Sequence, residues 1–404
     1  MHRFVSVKRR LGLLLRSVRP SEASGPQSIP IAALLAADWS KSSSRRAVYV
    51  ATTASPSVRR LAWPGGWNLT SLLDAAEPWR QHGAVVVAID APLGVPRAYW
   101  TRARAAFRLP ASATFLDLVD RLPASAFAVS SEPTAWDVRR PFFAVPKGAG
   151  GLTRVLTVAQ SSLRRAVDVA TGAKSPFIAA GIPGSVGSSA IALWRELQTL
   201  RASGRDVAVW PFDGPLTTLT RRRRIVLAET YPRACYAMAL QAGPLVPCAI
   251  RPLAKTQPHV RAEALCALAV ARGTWRPSIR VAGLREAAAN EDDFDACLTA
   301  VALLRATLDE SLFRVTALED PRVEGGILGA GCWGRGAGAR GAKTLPTRER
   351  LVHSRLARRR SDVAGVRVGK VLFQHVSLRR GVAIVATAPH GRERGLRISR
   401  GCRH

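Results

Sequence analysis

The chain has 404 residues, 47% of them hydrophobic, enough apolar material for one large core or two ordinary ones. No run of 18 apolar residues occurs, so no membrane span is expected, and six cysteines without a C-x-x-C pair argue against a zinc site or a disulfide scaffold. A net charge of +32 points to a polyanionic partner such as nucleic acid; yet the basic residues are mostly Arg, which GC-rich codon usage explains equally, and Trp333 to His404 holds 18 Lys and Arg against three acids.

The opening "MHRFVSVKRRLGLLLRSVRP" is basic, and its apolar stretch is too short and interrupted for a signal peptide. Residues 1–30 are therefore expected to be a disordered or mis-called N-terminal extension, and a cytoplasmic location is expected for the protein. Ordered sequence begins at "IPIAALLAADWSKSSSRRAVYVATTA", which reads as a strand ending near Asp38, a polar turn and a second strand from Arg46 to Thr52. "VRRLAWPGG" supplies a third strand. "NLTSLLDAAEPWRQHG" has helical spacing, with Asn68 as N-cap and Gly83 at the end. "AVVVAIDAPLG" is a continuous apolar run of the kind buried on both faces of a parallel sheet.

From Tyr99 to Pro176 the pattern is irregular and reads as a largely helical insertion. "SPFIAAGIPGSVG" is glycine-rich, a helix follows through Ala190 to Ala202, and "DVAVWPF" reads as a short strand. A further strand, Ile225 to Ala228, runs into Glu229 and a Tyr231-Pro232 turn. "NEDDFDACLTAVALLRATLD" reads as an amphipathic helix with acids in its first turn. Glycines accumulate after "EGGILG", which places the domain end near Gly331. Within the basic remainder, 332–404, "VAGVRVGKVLFQHVSLRRGVAIVATAP" has strand character, although a disordered tail is the expectation.

The acids at strand ends raise the chemical question. Asp38, Asp90 and Glu229 each close a strand, while Asp292, Asp293 and Asp295 open a helix. Each has an ordinary reading: a polar strand end for Asp38, an Asx turn for Asp90, a turn organiser for Glu229, helix-dipole and capping residues for the last group. Strand ends in an α/β sheet nevertheless converge on one edge, where ligands bind. Carboxylates gathered there repel one another, and Mg²⁺ or Mn²⁺ is the simplest relief. Asp292 and Asp295, spaced i and i+3, share a helix face.

In that order, "AADWS", "AIDAPLGVP", "TGAKSPFIAAGIPGSVG", "VWPFDGPL", "AETYPRACY", "NEDDFDACLTAVAL" and "EGGILG" resemble the DUF429 family of predicted nucleases in the ribonuclease H-like superfamily. The likeness spans about Ile31 to Gly331. It implies a ribonuclease H-like domain over 31–331: a mixed sheet in the order β-β-β-α-β-α-β-α, helices on both faces and a helical insertion. It further implies metal-binding acids at Asp38, Asp90, Asp292 and Asp295, and two-metal hydrolysis of nucleic-acid phosphodiesters with ions about 4 Å apart. Glu229 would be a further ligand or a base acting behind the ligands. "WSKSSSRR" stands where relatives often carry a glycine-rich turn.

Lys255, His259 and Arg261 in "KTQPHVRAEAL", and Lys174 in "TGAKS", are candidate phosphate contacts; a solvated helix face and a tight structural turn are the alternatives. Two rival functions remain at this stage. One is an actin-like or sugar-kinase-like ATPase, which needs two such domains facing a cleft. The other is a non-catalytic nucleic-acid-binding module of the same fold.

Overall fold

Chain-order alternation of apolar strands and helical segments yields an α/β architecture with a mixed, mostly parallel central sheet. The computed structural model describes residues 31–131, 137–146, 163–221, 223–246, 248, 250, 252–313 and 320–329, together with the backbone of 376–378 and 381–383. It divides into two compact units, Met1–Arg340 and Gly341–His404. In the second, Val376–Leu378 and Gly381–Ala383 pair as a two-stranded antiparallel hairpin, so the strand character of that segment is expressed there. The expected N-terminal extension and the rest of the basic tail lie outside the described residues.

In the first unit, β1 (Ile31–Asp38), β2 (Ala47–Thr52) and β3 (Ser57–Leu61) form an antiparallel meander. Asn68 caps α1 (Leu69–Arg80) as expected, accepting from the Ser71 amide at 2.8 Å. The helix returns the chain to β4 (Ala84–Asp90), parallel to β1. The insertion holds α2 (Arg97–Ala106), α3 (Phe115–Arg121), α4 (Ala166–Thr171) and a small parallel pair, β5 (Phe143–Ala144) with β6 (Ile178–Ala180). Next come α5 (Gly187–Ala202), β7 (Ala208–Val209), α6 (Leu216–Leu219), β8 (Ile225–Glu229) and α7 (Pro232–Ala239). The unit continues through α8 (Pro258–Arg272), β9 (Arg280–Val281), α9 (Leu284–Ala289) and α10 (Glu291–Leu308). The seven strands lie in the order β7-β8-β4-β1-β2-β3-β9.

Side chains alternate across a strand, so the sheet builds a core on each face. Ala33, Leu35, Ala37, Val85, Val87 and Ile89 pack against α1, α2, α3 and α5, whereas Leu34, Ala36, Val86 and Ala88 pack against α7, α8 and α10. The last helix departs from its expected amphipathic form. Every residue from Asp293 to Ala306 is buried, because sheet strands, α7 and α9 cover α10 on several sides.

The turn after β4 is interlocked with the distant "EGG" segment. Val95 N–H donates to Val323 O at 3.0 Å and Arg97 N–H to the Glu324 carboxylate at 3.0 Å. Gly94 (φ +122°) and Gly325 (φ +73°) approach each other's neighbouring backbone so closely that a Cβ at 325 would lie 2.0 Å from Leu93 O, and one at 94 would lie 2.4 Å from Glu324 O. Gly325→Ala therefore combines left-handed strain with a backbone collision. We expect it to cost more than about 2 kcal/mol of stability in urea unfolding.

Candidate metal centre

Strand parity decides which acids meet. Asp38 follows Leu34 and Ala36 at period two, and Asp90 follows Val86 and Ala88, so both point to the sheet face covered by α10. Parallel pairing sets Asp38 directly beside Asp90. Asp295, 1% exposed in the first turns of α10, comes down onto the same place. A carboxylate oxygen from each of Asp38, Asp90 and Asp295 lies within 4.8 Å of the others.

Crowding and burial oppose ionisation of all three. Burial, then the charges of Asp90 and Asp295, pushes Asp38 well above the usual carboxylate range. Burial and Asp295 push Asp90 up to about 8. Asp295 is also raised by burial, although Lys255 and Tyr236 pull the other way. The Tyr236 hydroxyl donates to Asp295 Oδ1 at 2.5 Å, and Lys255 Nζ donates to Asp295 Oδ2. An all-oxygen set of crowded carboxylates matches the ligand preference of Mg²⁺ or Mn²⁺. Tyr236→Phe removes the hydroxyl that holds Asp295 in orientation, and it should weaken about tenfold any Mn²⁺ binding that titration calorimetry detects at these carboxylates.

The remaining candidates are placed differently. Asp292 is half-buried at the outer edge, with Arg45 Nε 3.9 Å away, and it raises Asp38 electrostatically without joining the three clustered carboxylates. Three residues along a helix rotate a side chain by about 60° and lift it nearly a turn, which separates Asp292 from Asp295. Asp293 is held by Arg60 at 2.5 Å and by Asn290 at 2.6 Å.

Glu229 has the parity of Ile225 and Leu227, so it faces the opposite core. There Arg165 grips it with two hydrogen bonds of 2.6 and 2.7 Å, and Leu93 N–H donates to it at 2.7 Å. Arg261 donates to the carbonyls of Lys255, Ala288 and Ala289, a main-chain clamp. Lys174 and His259 are exposed. The glycine-rich 181–187 stretch joins β6 to α5.

Arg46 fixes the unusual turn after Asp38. Its guanidinium stacks 3.7 Å from the Trp39 ring centroid, donates to Ser40 O and Trp67 O, and pairs with Glu196 at 2.8 Å. A buried arginine thus holds "WSKSSSRR" by the Ser40 carbonyl and the Trp39 ring and ties the stretch to Trp67 and Glu196.

Sequence reasoning missed Tyr236 and Arg165. Tyr236 sits inside the quoted "AETYPRACY" stretch, where a tyrosine one helical turn past Pro232 was a usable signal; Arg165 lies in the irregular insertion, which offered none.

No family profile, curated protein or solved structure matches the chain. Among the described residues, no helix is long and apolar enough to cross a membrane.

Proposed function

We propose that the protein is a divalent-cation-dependent hydrolase of nucleic-acid phosphodiesters, of the ribonuclease H-like class. The observation that carries this reading is the meeting of Asp38, Asp90 and Asp295, from two neighbouring parallel strands and a helix far along the chain, on one sheet face. The chain order β1-β2-β3-α1-β4, an antiparallel meander followed through a helix by a strand parallel to β1, supports it, since the resemblance implies a β-β-β-α-β start.

Asp38, Asp90 and Asp295 would hold Mg²⁺ or Mn²⁺, with Tyr236 orienting Asp295. When bound, such an ion lowers the pKa of water and stabilises charge on the departing oxygen. The carboxylates' part is to fix its position and to offer no covalent nucleophile. A net charge of +32 is compatible with a polyanionic substrate, which Lys and Arg bind with release of counterions.

The test is cleavage of a panel of RNA, DNA and branched substrates by the full chain with Mn²⁺, Mg²⁺ or EDTA. Metal-dependent cutting that Asp38→Asn reduces by at least about a thousandfold is the expected outcome. Metal-dependent ATP turnover without cutting would favour a nucleotide-hydrolysing relative of the fold. Neither activity, with no Mn²⁺ bound, would defeat the reading.

A further inference from the structure

We propose that Lys255 occupies the position of a second cation, so that the centre takes a single divalent ion beside a permanent ammonium. This deepens the metal reading above and rests on it. Three observations support it.

The first is placement. Lys255 Nζ reaches Asp295 from the loop before α8, and a carboxylate oxygen of Asp295 lies within 4.8 Å of oxygens of Asp38 and Asp90. The ammonium therefore stands against the helix-borne member of the carboxylate group.

The second is anchoring. Buried Arg261, 4% exposed, donates to Lys255 O at 2.6 Å, and its other nitrogens bond Ala288 O and Ala289 O at 3.0 Å. Those carbonyls end the short helix immediately before α10, which carries Asp295. The clamp ties the lysine's main chain to the end of α9, which leads directly into the helix that supplies its partner. A surface lysine that met an acid by chance would have no such tether.

The third is charge. Asp38, Asp90 and Asp295 with Lys255 carry a formal −2, which one divalent cation neutralises. Two would leave the same group at +2 before substrate arrives. Asp292 lies outside the three clustered carboxylates with Arg45 3.9 Å away, and it is counted with that arginine rather than with this group. Two-metal centres place their ions about 4 Å apart, and the ammonium already occupies Asp295 Oδ2, one of the few oxygens this group could offer a second ion. In this arrangement the lysine would meet a non-bridging phosphate oxygen of the substrate, a point charge where the second ion would otherwise stand.

Mn²⁺ stoichiometry decides the question without reference to turnover. Calorimetry and paramagnetic resonance on the full chain should give one ion for the wild type, one for Lys255→Arg, which keeps the charge, and two for Lys255→Met, which removes it. Circular dichroism identifies any variant that has not folded; the wild-type count needs no variant. Two ions on the wild type would overturn the inference and leave the metal centre standing. One ion on both wild type and folded Lys255→Met would likewise overturn it. No ion on the wild type would overturn the metal centre itself.

Discussion

Asp90→Asn should stabilise the metal-free protein at pH 8 and, in the same molecule, abolish its stabilisation by Mn²⁺. An aspartate in the unfolded chain has a pKa of about 3.9, whereas burial and Asp295 push folded Asp90 up to about 8. A raised carboxyl binds its proton more tightly when folded. Below pH 4 the proton is present in both states and nothing is lost. Between pH 4 and 8 the unfolded chain has released it while the fold retains it, so this group removes up to about 1.4 kcal/mol of stability per pH unit. Above pH 8 the loss is complete.

Asn cannot ionise, so its variant should lack that slope, and thermal unfolding in EDTA from pH 5 to 8 will compare the two. A cation held by these carboxylates would offset part of that loss in the wild type, because it would bind only the folded state. At a hundred times its dissociation constant it adds about 2.7 kcal/mol. Equal pH slopes for both proteins in EDTA would contradict the account of Asp90.

Arg165→Met should be among the most destabilising single changes in the chain. Arg165 is 1% exposed and lies between Asp168 at 2.7 Å and Glu229 at 2.6 Å; it also donates to Leu93 O at 2.9 Å and to Glu324 O at 3.3 Å. Methionine fills a comparable volume but leaves two acids buried without their cation. Removing one partner of a buried ion pair costs about 3–5 kcal/mol, and here two pairs share the partner. We expect urea unfolding to show a loss of at least about 4 kcal/mol, or no folded protein. The variant Arg165→Lys keeps charge without the two-pronged geometry and should recover only part of it. A loss below about 1 kcal/mol would show that this network does not hold the β4 turn, the insertion and the "EGG" segment together.

The contrast between Asp90 and Glu229 explains how much of this was legible in the sequence. Both close apolar strands, and both were expected at the ligand edge. Counting by two along each strand separates them: Asp90 shares a face with Val86 and Ala88, Glu229 with Ile225 and Leu227. Which face belongs to which helices depends on the order of strands, and sequence periodicity does not contain that order. The long elements were readable because their apolar runs and caps are local, as at Asn68 and along Ala84–Asp90.

The two-residue strand Arg280–Val281 was not readable, since it exists only through pairing with Ser57 and Val58. Lys255 was noticed only as a phosphate contact, because its partner is 40 residues away. Asp292 and Asp295 share a helix face by spacing and are distinguished by rotation and depth: one meets Arg45 at the outer edge, the other the two strand-end carboxylates.

Crystals of the full chain soaked in Mn²⁺ and measured at its absorption edge test the central claim most directly. The account predicts an anomalous peak about 2.0–2.3 Å from oxygens of Asp38, Asp90 and Asp295. Crystals that take up Mn²⁺ elsewhere, while these three carboxylates stay unliganded, would contradict it.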